Sequence, residues 1–293
     1  MPKNTAPSDF VALILTHGRP DRCFTYHSLR KHGYTGPIIL VVDNEDKTIE
    51  LYKDQFGDQV VIFDKLEMSY RVDECDNFTD RRATIYARNK SFDIAQEHGY
   101  RYFIELDDDY FSFDYAWKNK REYGASPVRN LDKIFDLLLD FLKATPTHSI
   151  AIAQGGDYIG GKRNRQWQRE ALSRKCMNTW VCDTHRRFWF RGRMNDDVNT
   201  YTTLGSQGLI FFTYHSLRIT QPTTQSVAGG MTEIYLDSGT YVKSFYTVMQ
   251  NPSFAKVFLL GGVKHKRLHH HISWDHAVPK IIREKHRKPD PSH

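Results

Sequence analysis

The sequence predicts an α/β fold built on one mostly parallel central sheet, with helices on both faces of that sheet. The first observation is that short apolar runs, typical of buried strands, alternate with segments whose apolar residues have helical spacing. The second is that the connections are short and carry glycine or proline, as in 16–20 and 33–37. In a sheet of this kind, ligands bind beyond the carboxyl ends of the strands.

The elements of the first half follow in a regular order. The predicted strands are 10–15, 38–42, 60–63 and 102–106, and the predicted helices between them are 21–32, 47–56 and 82–98. Gly33 and Gly99 end two of these helices. If the strands are parallel, the loops that begin at Thr16, Asp43 and Asp107 share one edge of the sheet.

The second half of the chain has a less regular pattern. A helix is predicted over 131–142 and strands over 150–153, 187–190 and 208–213. Residues 155–175 are polar, basic and glycine-containing, which is typical of a long functional loop. Because there is no clear linker or internal repeat, we expect one domain over 1–283, followed by a charged, frayed tail over 284–293.

The composition is that of a folded protein: of 293 residues, 40% are hydrophobic and 26% are charged, which excludes a disordered segment. No apolar run approaches the roughly 20 residues of a membrane-spanning helix, and the first residues lack the apolar run of a secretory signal. We therefore expect a cytoplasmic protein with no membrane partner. The four scattered cysteines form no C-x-x-C pair, which predicts reduced thiols. The net charge of +6 is compatible with a polyanionic partner or with solubility alone.

Three consecutive carboxylates, Asp107, Asp108 and Asp109, follow the predicted strand 102–106. Strand alternation puts Asp107 and Asp109 on the same side, where their charges repel unless a cation joins them. Mn²⁺ or Mg²⁺ is suited to such oxygen ligands. The alternative is a solvated acidic loop that caps a strand.

Two later segments carry groups that suit related chemistry. Asp196 and Asp197 form a second acidic pair, in which either carboxylate is suited to act as a general base or to cap a helix. The histidine-rich run 264–271 offers imidazoles for a metal shell, with His269 or His271 favoured, although a solvated basic strand is equally compatible.

Basic residues interleaved with an aromatic side chain lie in the second half. The candidate nucleic-acid-binding residues are Lys162, Arg163, Arg165, Trp167, Arg169, Arg191 and Arg193. Such residues neutralise phosphates and stack on bases. Surface charge or recognition of another anion is the alternative.

Three segments resemble, in the right order, the donor-binding half of GT-A glycosyltransferases. Residues 16–20, Thr-His-Gly-Arg-Pro, resemble the family's first nucleotide-binding loop, and 42–44, Val-Asp-Asn, resemble the acidic end of its second strand. Residues 87–90, Ala-Arg-Asn-Lys, followed by a strand that ends in 107–109, resemble its hallmark helix and D-x-D motif. The resemblance implies a GT-A-like domain with a decorated C-terminal half, a UDP-sugar donor and a divalent cation.

The resemblance also implies roles for the matching residues and a division of the domain into a nucleotide-sugar-binding half, about 10–115, and an acceptor-binding half, about 116–283. The donor-binding residues would be Thr16, Arg19, Asp43, Arg88, Asp107 and Asp108, and the metal ligands Asp107, Asp109 and His269 or His271. Asp196 or Asp197 would be the base of an inverting enzyme. For Arg88 the alternative is a surface ion pair, and for Asp43 a turn.

Residues 241–245, Tyr-Val-Lys-Ser-Phe, and the histidine-rich end are similar to phage glycosyltransferases associated with TET/JBP-type base hydroxylases. This similarity implies 5-hydroxymethylcytosine or a similar hydroxymethyl pyrimidine in double-stranded viral DNA as the acceptor, and a UDP-linked hexose or pentose as the donor. The location would be the host cytoplasm.

Three rival functions are compatible with parts of the sequence. A GT-A enzyme acting on a glycan, lipid or protein would share the donor site and differ only in its acceptor groove. A metal-dependent nucleotidyltransferase or nuclease would also use carboxylates, but the chain lacks an evident glycine-rich loop of the P-loop kind. A non-catalytic DNA-binding module would not need Asp107 and Asp109.

Overall fold

A computed structural model describes residues 5–118, 123–154, 172, 176, 178–222, 242–260 and 267–278. The strands are β1 Phe10–Leu15, β2 Ile38–Asp43, β3 Val60–Phe63, β4 Tyr102–Asp107, β5 Ser112–Lys118, β6 Tyr123–Pro127, β7 Thr147–Gln154, β8 Thr179–Asp183, β9 Ile210–Thr220, β10 Ala255–Leu260 and β11 Arg267–Ile272. The helices are α1 Phe24–Lys31, α2 Ile49–Phe56, α3 Lys65–Ser69, α4 Ile85–Glu97, α5 Leu131–Ala144, α6 Asp196–Ser206, α7 with described residues 242–250, and α8 Trp274–Ala277.

The strands β1 to β9 form one sheet in the order β3-β2-β1-β4-β8-β7-β9-β5-β6. The four strands of the first half, β3, β2, β1 and β4, are parallel, as are β7 and β9. The strand β8 is antiparallel to β4 and β7, and β5 is antiparallel to β9 and β6. The predicted α/β fold is confirmed, and the second half adds antiparallel strands to its parallel sheet.

The core lies on both faces of this sheet, which explains why β1 is an unbroken apolar run. Alternate β1 residues belong to two different clusters, Ile14 to one and Leu13 to the other. The first cluster packs α1, α2 and α5 on one face, and the second packs α4, α6 and α8 on the other. The expected helices on both faces are therefore present.

The predicted strand 187–190 is wrong, because this segment is not a strand and pairs with no strand among the described residues. Phe188 and Phe190 are buried while Trp189 is 40% exposed, an alternation that imitates a strand. The side chain of Asn89 replaces the missing strand: its Oδ1 accepts from the Phe190 amide at 2.9 Å, and its Nδ2 donates to the Phe190 carbonyl at 3.0 Å. The Asn89 amide holds the segment against α4, together with Arg187, whose guanidinium bonds Asp93 and the Asn89 carbonyl.

The boundaries of other elements differ modestly from the predicted ones. The chain makes a 3-10 turn at Pro20–Arg22 before α1 begins at Phe24. The strand predicted over 208–213 begins at Ile210 and continues to Thr220. Within the described residues, no helix is long and apolar enough to cross a bilayer.

Candidate active site

The loops that follow β1, β2 and β4 meet at one edge of the sheet, as predicted. The register pairs Leu15 of β1 with Asp107 of β4, and the three strands run parallel, so their carboxyl ends coincide. Side chains then tie the loops together: the Thr16 hydroxyl donates to Asp108 Oδ2 at 2.7 Å, and Arg19 Nη2 lies 3.0 Å from Asp108 Oδ1. Thr16, Arg19 and the aspartate turn thus form one unit.

Asp43 is buried at the end of β2, where its carboxylate is already engaged. Its Oδ2 lies 2.7 Å from His17 Nδ1 and 3.3 Å from Lys65 Nζ, and its Oδ1 accepts from the Glu45 amide at 3.1 Å. The His17 side chain is 46% exposed, whereas that of Asp43 is 7% exposed. A ligand that approaches this corner therefore meets His17 before it meets Asp43.

The charged groups at this corner, His17, Asp43 and Lys65, stabilise one another by pairing. The hydrogen bond that His17 donates to Asp43 raises the pKa of His17, and burial opposes it with a smaller effect. Burial works to raise the pKa of Asp43, but His17 and Lys65 outweigh it and lower that pKa. His17 and Lys65 were missed by the sequence reasoning, and the position of His17 within the matched loop 16–20 was the signal that was available.

The three consecutive aspartates have different environments. Asp108 is buried, and burial raises its pKa to about 6 against the opposing effect of Arg19. Asp107 and Asp109 are partly exposed. The pKa of Asp109 rises to about 7 because of partial burial and then because of the charges of Asp107 and Asp108. Asp108 therefore supports the turn, while Asp107 and Asp109 remain open to a ligand.

The backbone of the aspartate turn is fastened to α1 through Thr25. The Thr25 hydroxyl donates to the Asp107 carbonyl at 2.6 Å and accepts from the Tyr110 amide at 2.9 Å. The Thr25 amide donates to the Asp108 carbonyl at 3.1 Å. Because one buried residue makes all three bonds, the turn is held rigidly to the first helix of the fold.

Arg88, near the start of α4, is buried among three carboxylates. Its Nη1 donates to Glu105 Oε1 at 2.6 Å, its Nη2 lies 3.3 Å from Asp107 Oδ1, and its Nε lies 2.8 Å from Asp196 Oδ2. The guanidinium also lies over the Phe190 ring, 5.6 Å from its centroid. Three carboxylates hold the Arg88 pKa well above its ordinary value although burial opposes them. The surface ion pair considered as an alternative for Arg88 is excluded.

Glu105 was missed by the sequence reasoning, although a carboxylate inside the apolar run 102–106 was a visible signal. It is fully buried in β4, and burial raises its pKa to about 7 against the opposing charge of Arg88. Its Oε2 has no hydrogen-bond partner within the described residues. Glu105 therefore anchors Arg88 from inside the sheet.

Asp196 and Asp197 begin α6, after Asn195 in the left-handed conformation with φ 53°. Asp196 is buried, and in addition to Arg88 its Oδ2 accepts from the Thr84 hydroxyl at 3.0 Å. Asp197 is partly exposed, and burial together with the charge of Asp196 raises its pKa to about 6. The structure separates the two residues: Asp196 is a partner of Arg88, whereas Asp197 is partly exposed and its Oδ1 accepts from the Val198 amide at 2.7 Å.

The histidine-rich run forms β11, paired with β10. His269 and His271 lie on one face of this ribbon and His270 on the other, because successive strand residues alternate. His270 is buried, and its Nδ1 lies 3.4 Å from Asn195 Nδ2, next to Asp196. His271 is exposed against Phe258. The histidine near the acidic pair is thus His270, and ligation by His269 or His271 stays a prediction.

The charge pattern at the turn allows a test of the predicted cation. Two partly exposed carboxylates, Asp107 and Asp109, repel one another, and this repulsion adds to the effect of burial in raising the pKa of Asp109. Oxygen ligands with excess negative charge fit Mn²⁺ or Mg²⁺. Within the described part of the chain, no group of three or more His, Cys, Asp and Glu side chains is arranged around a metal position.

Arg193 is a correction to the predicted nucleic-acid-binding set. Its side chain is 1% exposed, Nη2 lies 2.6 Å from Glu74 Oε2, and Nε lies 2.9 Å from Asp76 Oδ2. A guanidinium buried between two carboxylates is not available to phosphates. Arg191 is 34% exposed and pairs with Asp73 at 2.9 Å, so its role stays a prediction. The other candidates, Lys162, Arg163, Arg165, Trp167 and Arg169, lie outside the described residues.

A family model described as TET-Associated Glycosyltransferase matches residues 10–230 of the chain. That range includes the first loop, the aspartate turn, Arg88 and the acidic pair of α6. No curated protein matches the sequence.

Solved structures give more distant likenesses. The mannosyltransferase PcManGT from Pyrobaculum calidifontis, in complex with GDP-Man and Mn²⁺, is 11% identical with a TM-score of 0.47, over 85% of this chain and 76% of that chain. A mycobacterial protein is 10% identical with a TM-score of 0.44, over 90% and 83%. S. aureus TarS is 11% identical with a TM-score of 0.43, over 74% of this chain and 37% of its own. These likenesses are too remote to assign a residue or ligand.

Proposed function

This chain belongs to the TET-associated glycosyltransferase family and is a glycosyltransferase, and from that premise we propose that it transfers a sugar from a UDP-sugar to a hydroxymethylated pyrimidine in double-stranded DNA. The acceptor base would be 5-hydroxymethylcytosine or a close relative. The reaction would use Mn²⁺ or Mg²⁺ and take place in the cytoplasm, that of the host if the gene is a phage gene.

One observation carries the proposal: the buried guanidinium of Arg88 lies between Asp107 and Asp196 and pairs with both. On one side of it lies the aspartate turn, tied to the first loop through Asp108. On the other side lies the acidic pair that begins α6. A site that transfers a sugar needs a region for the leaving diphosphate and a region for the attacking hydroxyl, next to each other. The geometry supports that use.

The donor would lie along the edge formed by the ends of β2, β1 and β4. Its base would meet the corner of His17 and Asp43, and its diphosphate would lie beside Asp107 and Asp109. Those two carboxylates would hold a divalent cation, which when bound neutralises charge on the leaving diphosphate. Arg88 fixes the Asp107 side chain and adds a permanent positive charge behind it.

Asp197 is the better candidate for the general base. A base needs an accessible oxygen and a pKa below the working pH, and Asp197 has a pKa of about 6 and partial exposure. Asp196 is instead bound by Arg88 and Thr84, so its carboxylate has a structural role. Asp197 would accept the proton of the acceptor hydroxyl as the oxygen attacks the sugar, while Asp196 positions the guanidinium.

The DNA acceptor is supported by the name of the matching family and by the net charge of +6. Arg191, shortly before the acidic pair in the sequence, contributes a partly exposed guanidinium. A hydroxymethyl group on a stacked base is not within reach of a sheet-edge site, so the target nucleotide would have to leave the helical stack.

The proposal is tested by incubating the purified chain with Mn²⁺, a panel of UDP-sugars and duplexes that contain either 5-hydroxymethylcytosine or cytosine. The DNA is then digested, the masses of its nucleosides are measured by mass spectrometry, and the released UDP is quantified. A sugar-sized gain in mass on 5-hydroxymethylcytosine alone is expected. UDP release without a nucleoside gain would reject the DNA acceptor and favour a glycan, lipid or protein, and cleavage of the duplex would favour a nuclease.

A further inference from the structure

Three amide side chains meet at the carboxyl edge of the sheet, on the opposite side of the turn 107–109 from Asp43. Gln154 is the last residue of β7, Asn178 directly precedes β8, and Gln221 directly follows β9. The sheet order β4-β8-β7-β9 makes these three positions neighbours of one another and of the aspartate turn. We refer to Gln154, Asn178 and Gln221 as the amide triad.

The members of the amide triad are bonded to one another. Asn178 Nδ2 donates to Gln154 Oε1 at 2.9 Å and to Gln221 Oε1 at 3.0 Å, and Gln221 Nε2 donates to Gln154 Oε1 at 3.2 Å. All three side chains are partly exposed. Partly exposed amides ordinarily keep several rotamers, whereas these are fixed in a mutual arrangement, so the surface that they present is defined in advance.

The amide triad is connected to the aspartate turn through Tyr110. Tyr110 is fully buried, directly follows Asp109, and donates from its hydroxyl to the Asn178 carbonyl. Asn178 has a φ of 67°, a left-handed conformation that is uncommon outside glycine and that clusters at ligand-binding sites. The position of the triad relative to Asp109 is therefore set by the pairing of β4 with β8 and by the buried Tyr110 side chain.

The hydrogen bonds within the triad leave an acceptor and a donor of these partly exposed amides unused. Both hydrogens of Asn178 Nδ2 are used within the triad, and amide planarity puts Asn178 Oδ1 on the other side of the group. Within the part of the chain that is described, neither Asn178 Oδ1 nor the second hydrogen of Gln221 Nε2 has a partner. A neutral surface that offers both an acceptor and a donor suits hydroxyl groups, which donate and accept, better than it suits phosphates.

We propose that the amide triad binds hydroxyl groups of the sugar that is transferred, and so determines which UDP-sugar the enzyme accepts. The assignment rests on the proposed function, because a diphosphate beside Asp107 and Asp109 would bring the attached sugar within one or two strand spacings of the triad, about 5–10 Å. Sites that hydrogen-bond a substrate hydroxyl discriminate strongly against analogues that lack it or place it differently.

The test compares the affinity for UDP with the affinity for UDP-sugars, measured by calorimetry on the full chain with Mn²⁺. The variants are Asn178→Gly, which keeps the left-handed backbone, and Gln221→Ala. The control is Gln59→Ala, an amide that bonds Tyr26 and the Phe56 carbonyl just before β3, at the opposite edge of the sheet. UDP-glucose, UDP-galactose and UDP-N-acetylglucosamine are the probes, and thermal unfolding verifies that each variant is folded.

Loss of one or two hydrogen bonds to a hydroxyl predicts that the ratio of UDP-sugar affinity to UDP affinity falls about tenfold in both triad variants for the best wild-type donor. The affinity for UDP itself and the behaviour of Gln59→Ala stay within about twofold of wild type. Equal weakening of UDP and UDP-sugar, an unchanged ratio, or an effect confined to DNA affinity would overturn the assignment while leaving the donor site intact. Failure of the wild-type chain to bind UDP at all would overturn the proposed function, and this assignment with it.

Discussion

Arg88 Nε lies 2.8 Å from Asp196 Oδ2, which joins α4, behind the aspartate turn, to the start of α6, where the acidic pair lies. The two residues are 108 positions apart in the sequence, both are buried, and Arg88 is also paired with Asp107. The same contact therefore stabilises the fold and sets the distance between the two halves of the site.

Substitution of Arg88 by lysine should destabilise the fold and abolish activity. One ammonium cannot reach three carboxylates in the directions that a guanidinium can, so buried charges are left unpaired. The expected loss is about 3 kcal/mol in the free energy of unfolding, measured by urea denaturation. Arg81→Lys is the matched control, since Arg81 pairs with Glu45 at the surface and its loss should stay below about 1 kcal/mol. Equal losses would contradict the bridging role.

Replacement of Asp109 by asparagine should raise the thermal stability of the metal-free protein at pH 8. Burial and the neighbouring aspartates raise the pKa of Asp109 to about 7, so ionisation of this carboxyl costs stability progressively as the pH rises from about 4, the pKa in the unfolded chain, to about 7, and the cost is complete above that pH. The gain should be about 1–2 kcal/mol at pH 8, decrease as the pH falls through 7, and vanish below about pH 4, where both folded and unfolded chains are protonated.

The same variant tests the cation. Mn²⁺ should raise the unfolding temperature of the wild-type chain and have little effect on Asp109→Asn, because one of the two carboxylate ligands is lost. Asp58→Asn, at an exposed position before β3, is the control and should respond to Mn²⁺ as the wild type does. A stabilisation by Mn²⁺ that survives in Asp109→Asn would place the ion elsewhere.

The rate of transfer should fall as the pH drops through about 6, because burial and the charge of Asp196 raise the pKa of Asp197 to that value and a protonated carboxyl cannot act as a base. Asp197→Asn should lower kcat by about 100-fold or more while donor affinity is kept. Asp196→Asn should instead lower the unfolding temperature, since it removes a partner of Arg88. If Asp197→Asn retains wild-type kcat, the base assignment is wrong.

The pairing of His17 with Asp43 should make stability depend on pH. The hydrogen bond to Asp43 raises the pKa of His17, so the contribution is complete below about pH 6.5, the value in the unfolded chain, and is lost as the pH rises through the folded pKa. Because His17 is half exposed, the contribution is about 1 kcal/mol or less. Denaturation of wild type and His17→Gln at pH 6 and pH 9 measures it, and equal differences at the two pH values would refute it.

Two arginines of the predicted DNA-binding set should behave differently. Arg191→Ala should weaken DNA binding and reduce the slope of log affinity against log salt by about one, as expected for a lost phosphate contact. Arg193→Ala should instead cost about 3 kcal/mol of stability, because it leaves Glu74 and Asp76 without their buried partner. Fluorescence anisotropy at several salt concentrations and urea denaturation separate the two effects. Loss of DNA binding by a fully stable Arg193→Ala would reverse this assignment.

Much of the first half could be predicted from the sequence because its signals are local. The unbroken apolar run of β1 is explained by burial on both faces, and the common edge of Thr16, Asp43 and Asp107 follows from parallel strands. The sequence predicted that Asp107 lies at this edge, but it did not predict that the Asp108 side chain is buried. That orientation depends on Thr16, 92 residues away.

The second half was less predictable because its structure depends on distant partners. The hairpin of β5 and β6 is short and carries polar residues, so its pattern is weak. The segment 187–190 has strand-like alternation but bonds to the side chain of Asn89. Consecutive histidines give no indication of which one faces inward, and only the pairing of β11 with β10 distinguishes His270 from its neighbours.

The central claim is tested most directly by mass spectrometry of nucleosides from DNA that contains 5-hydroxymethylcytosine. The DNA is first incubated with Mn²⁺, a UDP-sugar panel and either the wild-type chain or Asp109→Asn. The account predicts a sugar-sized gain in mass with the wild type and none with the variant, although both are folded. A gain that persists in Asp109→Asn would contradict the aspartate site, and no gain with any UDP-sugar in the wild type would contradict the proposed acceptor.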